Sequence, residues 1–323
     1  MAEMYTYAVA RVRCREMALL TRADLSRLMQ CQTEEECLRT LQDKGWGKDT
    51  ATHLSAEEML IEEDRKIWSF IGELVHDPGV FDVLRLPKDF NNLKAAVKSV
   101  ITKVTPPHIY MSGGTVPPET MQRAVEQNDF SLLPDFLAEP GREAASLLLQ
   151  TRDGQRCDIL LDRACLMAVQ KAAESSECDL LREYAELTTA IADIKIAVRA
   201  QKTGKSRAFL QEALAPCRTL SLDSLTAAAL KSCDDLLSYL MLTPYAPAVE
   251  ALKDSASAFE KWCDDRVIEL IRGQKYEAFT LGPLVAYILA RQNEISTVRV
   301  LLAGKRNHMD DGLIQERLRD LYV

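Results

Sequence analysis

Leu187, Ile191, Ile194 and Val198 fall at i, i+4, i+7 and i+11, a spacing that places all four on one stripe of an α-helix. The pattern recurs along the chain. Leu284, Ile288, Ile295, Val298 and Leu302 mark one face of a longer helix. Ile67, Ile71, Leu74 and Val75 mark a third stripe, and Leu161, Cys165, Ala168 and Ala172 a fourth. A strand needs apolar and polar residues in strict alternation, and β-branched alternation of that kind is hard to find in the 323 residues. With only 13 Gly, 12 Pro and 6% aromatic residues, the chain is dominated by helix formers. The expected fold class is all-α, and 47% hydrophobic residues are enough for a large core.

These stripes sit in a long internal repeat. The dipeptide Asp-Arg occurs as Asp64-Arg65, Asp162-Arg163 and Asp265-Arg266, each expected to open an amphipathic helix. About thirty residues later comes an apolar-basic pair: Leu93-Lys94, Ile194-Lys195 and Val298-Arg299, spaced by 101 and then 104 residues. Val12-Arg13 is a fourth copy of that pair. Shorter helices are expected after each copy, for example Leu25 to Leu41, Phe209 to Leu214 and Leu313 to Leu318. The third unit runs out at Val323, so residues 1–55 are expected to complete it. The division is therefore 56–155, 156–258, and 259–323 joined by 1–55, a ring of three similar units in one continuous helical body. Its breaks fall at Thr105-Pro106-Pro107 and at Ser112-Gly113-Gly114 to Pro117-Pro118. Others lie at Arg152-Asp153-Gly154 and Thr243-Pro244 to Pro247.

Charge and cysteine content narrow the function classes. A net charge of −8 opposes non-specific nucleic-acid binding, which needs a basic field to displace phosphate counterions. Nine cysteines form no Cys-x-x-Cys pair and no cluster of zinc spacing. They are expected to be reduced cytosolic thiols, mostly small apolar core residues, in a chain without a signal peptide. The longest apolar run near the C-terminus, Leu281 to Ala290, holds ten residues including a Gly-Pro, about half of what crosses a bilayer. The protein is expected not to be transmembrane.

Motifs that could carry chemistry have simpler readings. Thr203-Gly204-Lys205-Ser206 resembles the end of a phosphate-binding loop, but Arg199 stands where the leading Gly belongs and an amphipathic helix precedes it. Gly204 is expected to stop that helix, and no nucleotide or other cofactor is expected. His53, His76, His108 and His308 make no i, i+3 or i+4 metal pair, and His308 is expected in a solvated polar turn. The acidic runs Glu34-Glu35-Glu36 and Glu57-Glu58 with Glu62-Glu63-Asp64 are expected to be solvated residues near helix starts. The repeated cations Arg13, Lys94, Lys195 and Arg299 are candidates for contact with an acidic partner. Their structural alternative is to flank an apolar stripe or pair with an Asp of a neighbouring helix, which is the favoured reading.

Both ends of the chain resemble one family. YTYAVARVRCREMALLT, from Tyr5 to Thr21, looks like the start of the V/A-type ATPase C-subunit family, whose eukaryotic members carry the letter d. GPLVAYILARQNEISTVRVLLAGKRNHMDDGLIQERLRDLYV, from Gly282 to Val323, looks like its ending, and LMQCQTEEECLRTLQDKGW, from Leu28 to Trp46, resembles its second helix pair. Within the ending, Pro-Leu, Ala-Tyr, Glu294, Arg299, Gly304-Lys305 and a late Arg-Leu carry the likeness. Gly282 departs from it, since the family carries Glu before that Pro. The resemblance implies an all-helical, funnel-like body of three units in pseudo-threefold arrangement. It also implies a non-catalytic place in the central stalk, peripheral on the cytoplasmic face of a membrane. There it would hold the rotor shaft, meet the ring of membrane subunits and transmit torque between ATP hydrolysis or synthesis and proton or sodium transport. The rival from residues alone is a helical scaffold or adaptor of the solenoid type, which would show a repeat of ~34–47 residues instead.

Overall fold

A computed structural model describes residues 5–47, 54–104, 106 and 109–323, and among these every regular element is helical. In chain order the first four α-helices are α1 (Thr6–Glu16), α2 (Arg22–Gln30), α3 (Glu34–Asp43) and α4 (Ala56–Leu74). There follow α5 (Asp82–Thr102), α6 (Pro118–Glu126), α7 (Asp135–Thr151) and α8 (Gly154–Glu174). After these come α9 (Asp179–Lys202), α10 (Arg207–Ala213), α11 (Leu222–Lys231) and α12 (Cys233–Leu240). The last are α13 (Ala248–Asp254), α14 (Ala256–Arg272), α15 (Gly282–Arg306) and α16 (Asp311–Arg317).

Side-chain caps fix where most of these helices start. Thr21 and Ser55 each accept the N–H of the third helical residue, while Asp24 and Glu58 reach back to the cap, completing two capping boxes. Asp153 and Ser255 cap α8 and α14 in the simpler way. The Asp-Arg dipeptides were expected to open helices. They lie instead more than two turns inside α4, α8 and α14, because Ser55, Asp153 and Ser255 start those helices upstream.

The residues group into two compact units, one of Met1–Pro78, Cys178–Leu180 and Pro247–Val323, the other of Gly79–Glu177 and Leu181–Ala246. The first is built on α15, which packs against α1, α3, α4, α14 and α16. Leu281 to Arg291 is buried on every side, which is what an apolar run without a polar face demands. Phe70 of α4 meets Tyr287 of α15 edge to face, with ring centroids 5.6 Å apart.

In the second unit α5 packs against α6, α7 and α8. Its core includes Phe90, Leu93, Met121, Phe130, Leu137 and Leu161. The loop leading into α6 is pinned by α5: Asp89 accepts the N–H of Thr115 and of Val116, and Asn92 accepts the N–H of Met111 at 2.7 Å. A Cβ on Gly114 would stand 2.3 Å from Asp89 Oδ1, so this approach requires glycine. On α8 the buried face is Cys157, Leu161, Val169 and Ala173. The expected stripe through Cys165, Ala168 and Ala172 is turned toward its half-buried edge.

Four of the nine cysteines are buried, namely Cys37, Cys157, Cys178 and Cys263, and Cys14 and Cys233 are exposed. Core placement therefore holds for fewer thiols than expected, because Cys14 and Cys233 occupy exposed positions on helices. His308 lies in an exposed turn with φ 49, as its polar neighbours suggested. His53, His108, Thr105 and Pro107 lie outside the described residues.

Candidate functional site

A buried ionic cluster occupies the centre of the unit built on α15. Arg291 and Glu294 stand one turn apart on α15, and Glu63 faces them from α4. Relative exposure is 3% for Glu63, 8% for Arg291 and 2% for Glu294. The Arg291 guanidinium spans both carboxylates. Nη2 donates to Glu63 Oε2 at 2.6 Å, and Nη1 donates to Glu294 Oε2.

The remaining carboxylate oxygens are used as well. Glu63 Oε1 accepts the N–H of Gly47 at 2.9 Å and Lys66 Nζ at 3.0 Å. Glu294 Oε1 accepts the N–H of Leu20 at 2.5 Å. When both carboxylates are ionised they balance one guanidinium and one ammonium in charge, and direct contacts on every carboxylate oxygen offset part of the desolvation. The Arg291 guanidinium also lies 5.0 Å from the Trp46 ring centroid.

Burial pushes the Glu294 carboxyl up to about 7, against the pull of Arg291 and the Leu20 N–H. Burial also opposes charge on Arg291, but Glu294 and Glu63 hold the guanidinium above its ordinary value. In the other unit, burial pushes Asp193 on α9 up to about 7, although it accepts the N–H of Ala215 at 3.0 Å.

Next to the ionic cluster opens a cleft of about 410 Å³. Arg291, Trp46, Phe70 and Tyr287 contribute to its lining, with Arg15, Lys44, Arg65 and Lys66 around them. Arg15 lies over the Phe70 ring, 5.0 Å from its centroid. This arrangement suits attraction of an anion. Among the described residues, no group of three His, Cys, Asp or Glu side chains could hold a metal ion.

The four repeated cations do not line this cleft. Arg13 donates to Glu16 and to the carbonyls of Gln274 and Glu277, at 2.6 and 2.8 Å for the latter two. Lys94 pairs with Asp162 at 2.5 Å, joining the basic residue of one repeat motif to the acidic residue of another. Arg299 pairs with Glu57 at 3.2 Å, and Lys195 is half-buried on α9. Arg13 and Arg299 belong to the α15 unit, Lys94 and Lys195 to the other.

Sequence reasoning missed Glu63, grouping it with solvated acidic residues, because its run of charges hid which face of α4 it occupies. Burial at the α15 contact decides otherwise. A signal was present: Arg291 and Glu294 interrupt a run that is apolar from Leu281, and such charges need a buried counterion. The segment Thr203 to Ser206 does end a helix. The Lys205 N–H returns to the Ala200 carbonyl at 3.0 Å, Gly204 has φ 62, and Ser206 caps α10.

Among the described residues no helix is long and apolar enough to cross a membrane. The family model described as ATP synthase (C/AC39) subunit matches residues 8–317. The V-type sodium ATPase C-subunit of Enterococcus hirae is 22% identical over 323 residues, covering 96% of this chain and 97% of that protein. The A-type ATP synthase C-subunit of Desulfurococcus sp. is 24% identical over 334 residues, covering 98% and 90%. The V-type ATP synthase C-subunit of Thermus thermophilus is 26% identical over 217 residues, covering 63% and 65%.

Proposed function

The chain belongs to the ATP synthase (C/AC39) subunit family, and from that premise we propose that it is a non-catalytic central-stalk subunit of a rotary V/A-type ATPase. It serves as the socket between the rotor shaft and the membrane ring of ion-translocating subunits. In that place it transmits torque between ATP hydrolysis or synthesis and proton or sodium transport. It sits peripherally on the cytoplasmic face of the membrane. The observation that carries the reading is the match over residues 8–317, together with relatives of nearly the same length that are C-subunits of such machines.

Three similar units in a funnel-like, pseudo-threefold arrangement belong to the same proposal. Pairs of long helices, consecutive in the chain, support it: α4 with α5, α8 with α9, and α14 with α15 begin at Ala56, Gly154 and Ala256, about a hundred residues apart. A torque coupler must resist bending, and long helices packed along apolar faces supply that stiffness. Contact of the repeated cations with partners is also proposed, and Arg299, with half of its side chain exposed, is better placed for it than Arg13 or Lys94.

The test is an affinity pull-down of the tagged protein from its native membranes in mild detergent, with partners identified by mass spectrometry. Recovery of head, shaft and ring subunits of the ATPase is expected. Their absence, from membranes that contain the intact ATPase, would sink the proposal.

A further inference from the structure

We propose that the cleft beside Arg291 receives one acidic side chain of a partner protein, with Arg15 as its ion-pairing residue. The inference rests on the chain working within a complex, and it assigns a chemistry to one face of it.

The cations of the lining set what fits. Five of them line the cleft: Arg15, Lys44, Arg65, Lys66 and Arg291. Four of the five are held by carboxylates of the protein itself. Lys44 pairs with Asp24 at 2.7 Å, Arg65 with Glu62 at 2.5 Å, Lys66 with Glu63 at 3.0 Å, and Arg291 with Glu63 and Glu294. Glu73, also at the wall, pairs with Arg11 at 3.6 Å. Among the described residues Arg15 makes no ion pair; its guanidinium lies over the Phe70 ring and near the Tyr287 hydroxyl. Arg15 therefore leaves one guanidinium of the lining open to a carboxylate.

The walls favour a side chain over a free ion. Trp46, Phe70 and Tyr287, at 3, 5 and 6% relative exposure, stand behind the charged lining, so the cations are held against ring surface and kept in place for a tethered carboxylate. Met17, two residues after Arg15 in the chain and next to Ala18 of the lining, is 83% exposed and offers an adaptable apolar contact to the chain that carries the carboxylate. Such an anchor is small in area, so it orients a larger interface and does not replace one.

A photo-cross-linker placed at Met17 tests this. The variant Met17→p-benzoylphenylalanine is expressed as the tagged full chain, irradiated in native membranes and recovered, and the joined peptide is sequenced by mass spectrometry. A cross-link to a peptide with Asp or Glu beside the attachment point is expected. Its yield falls at least fivefold when Arg15→Gln is added and returns with Arg15→Lys. No cross-link from membranes that deliver the assembled complex overturns the proposal. So does a cross-link to lipid or to a peptide without carboxylates, or a yield indifferent to Arg15→Gln.

Co-purification of ATPase subunits in the same sample reports separately on the proposed function. If none co-purifies, that function fails alone, and calorimetry of the purified protein judges the cleft. A glutamate-bearing synthetic peptide should then bind at least tenfold tighter than its glutamine counterpart and than inorganic phosphate. Equal or reversed order overturns the cleft assignment.

Discussion

Glu294 on α15 accepts the backbone N–H of Leu20 at 2.5 Å, so one carboxylate ties the long helix to a segment 274 residues earlier and also holds Arg291. Removing the shared cation leaves two buried carboxylates to find other partners. Arg291→Met should lower stability by about 3–5 kcal/mol, read from the urea midpoint. Adding Glu63→Gln and Glu294→Gln to it should restore at least half of the loss. A triple variant no better than the single one would mean that packing, and not stranded charge, sets the cost.

Stability should fall as pH rises through neutrality. Glu294 and Asp193 both have folded-state values of about 7, above their ordinary carboxyl values. Each is more protonated in the folded chain than in the unfolded one, so its contribution is full below the unfolded value and is lost as pH rises through about 7. A decline of about 2–4 kcal/mol between pH 5 and pH 8 is expected in urea titrations. Asp193→Asn should flatten the slope, since its amide oxygen still accepts the Ala215 N–H. A flat profile for the parent protein would contradict the assignment.

Lys94→Ala separates the two readings of the repeated cations. Lys94 keeps 18% of its side chain exposed and Asp162 57%, so their pair should be worth about 0.2–1 kcal/mol in a double-mutant cycle with Asp162→Ala. If Lys94 also meets a partner, Lys94→Ala lowers recovery of the complex beyond what Asp162→Ala does. Equal recovery would leave the helix-helix pair as its whole role.

Gly304→Ala tests the packing of α16 on α15. A Cβ there would stand 2.6 and 2.7 Å from Ile314 side-chain atoms, and Ile314 is 1% exposed. The change should cost about 1–3 kcal/mol, and Ile314→Val should relieve part of it. Thermal melting of the single and double variants measures both.

Helical periodicity was legible wherever burial is one-sided or complete. Leu187, Ile191 and Ile194 are buried on α9, and Leu284, Ile288, Ile295, Val298 and Leu302 on α15. The α8 face was misjudged because Ala168 and Ala172 differ from Val169 and Ala173 by one position, which hydrophobicity alone does not resolve. Helix starts were misplaced at the Asp-Arg dipeptides because a capping side chain acts locally, whereas an acidic residue within a helix looks similar in composition. The candidate site was the least legible part. Glu63 and Arg291 are 228 residues apart, and only the packing of α4 on α15 brings them together.

The contact between Leu20 and Glu294 also fixes an order of events during synthesis. The helices α1 to α4 emerge first, yet the helix they pack on is made more than two hundred residues later. At a ribosomal pace of about 5–20 residues per second, Leu20 waits roughly 14–55 s for its acceptor. The unit centred on α5 lies wholly between them in the chain and can condense meanwhile. During that interval the faces of α1, α3 and α4 that pack on α15 have no partner helix, and they stay uncovered by it until α15 arrives.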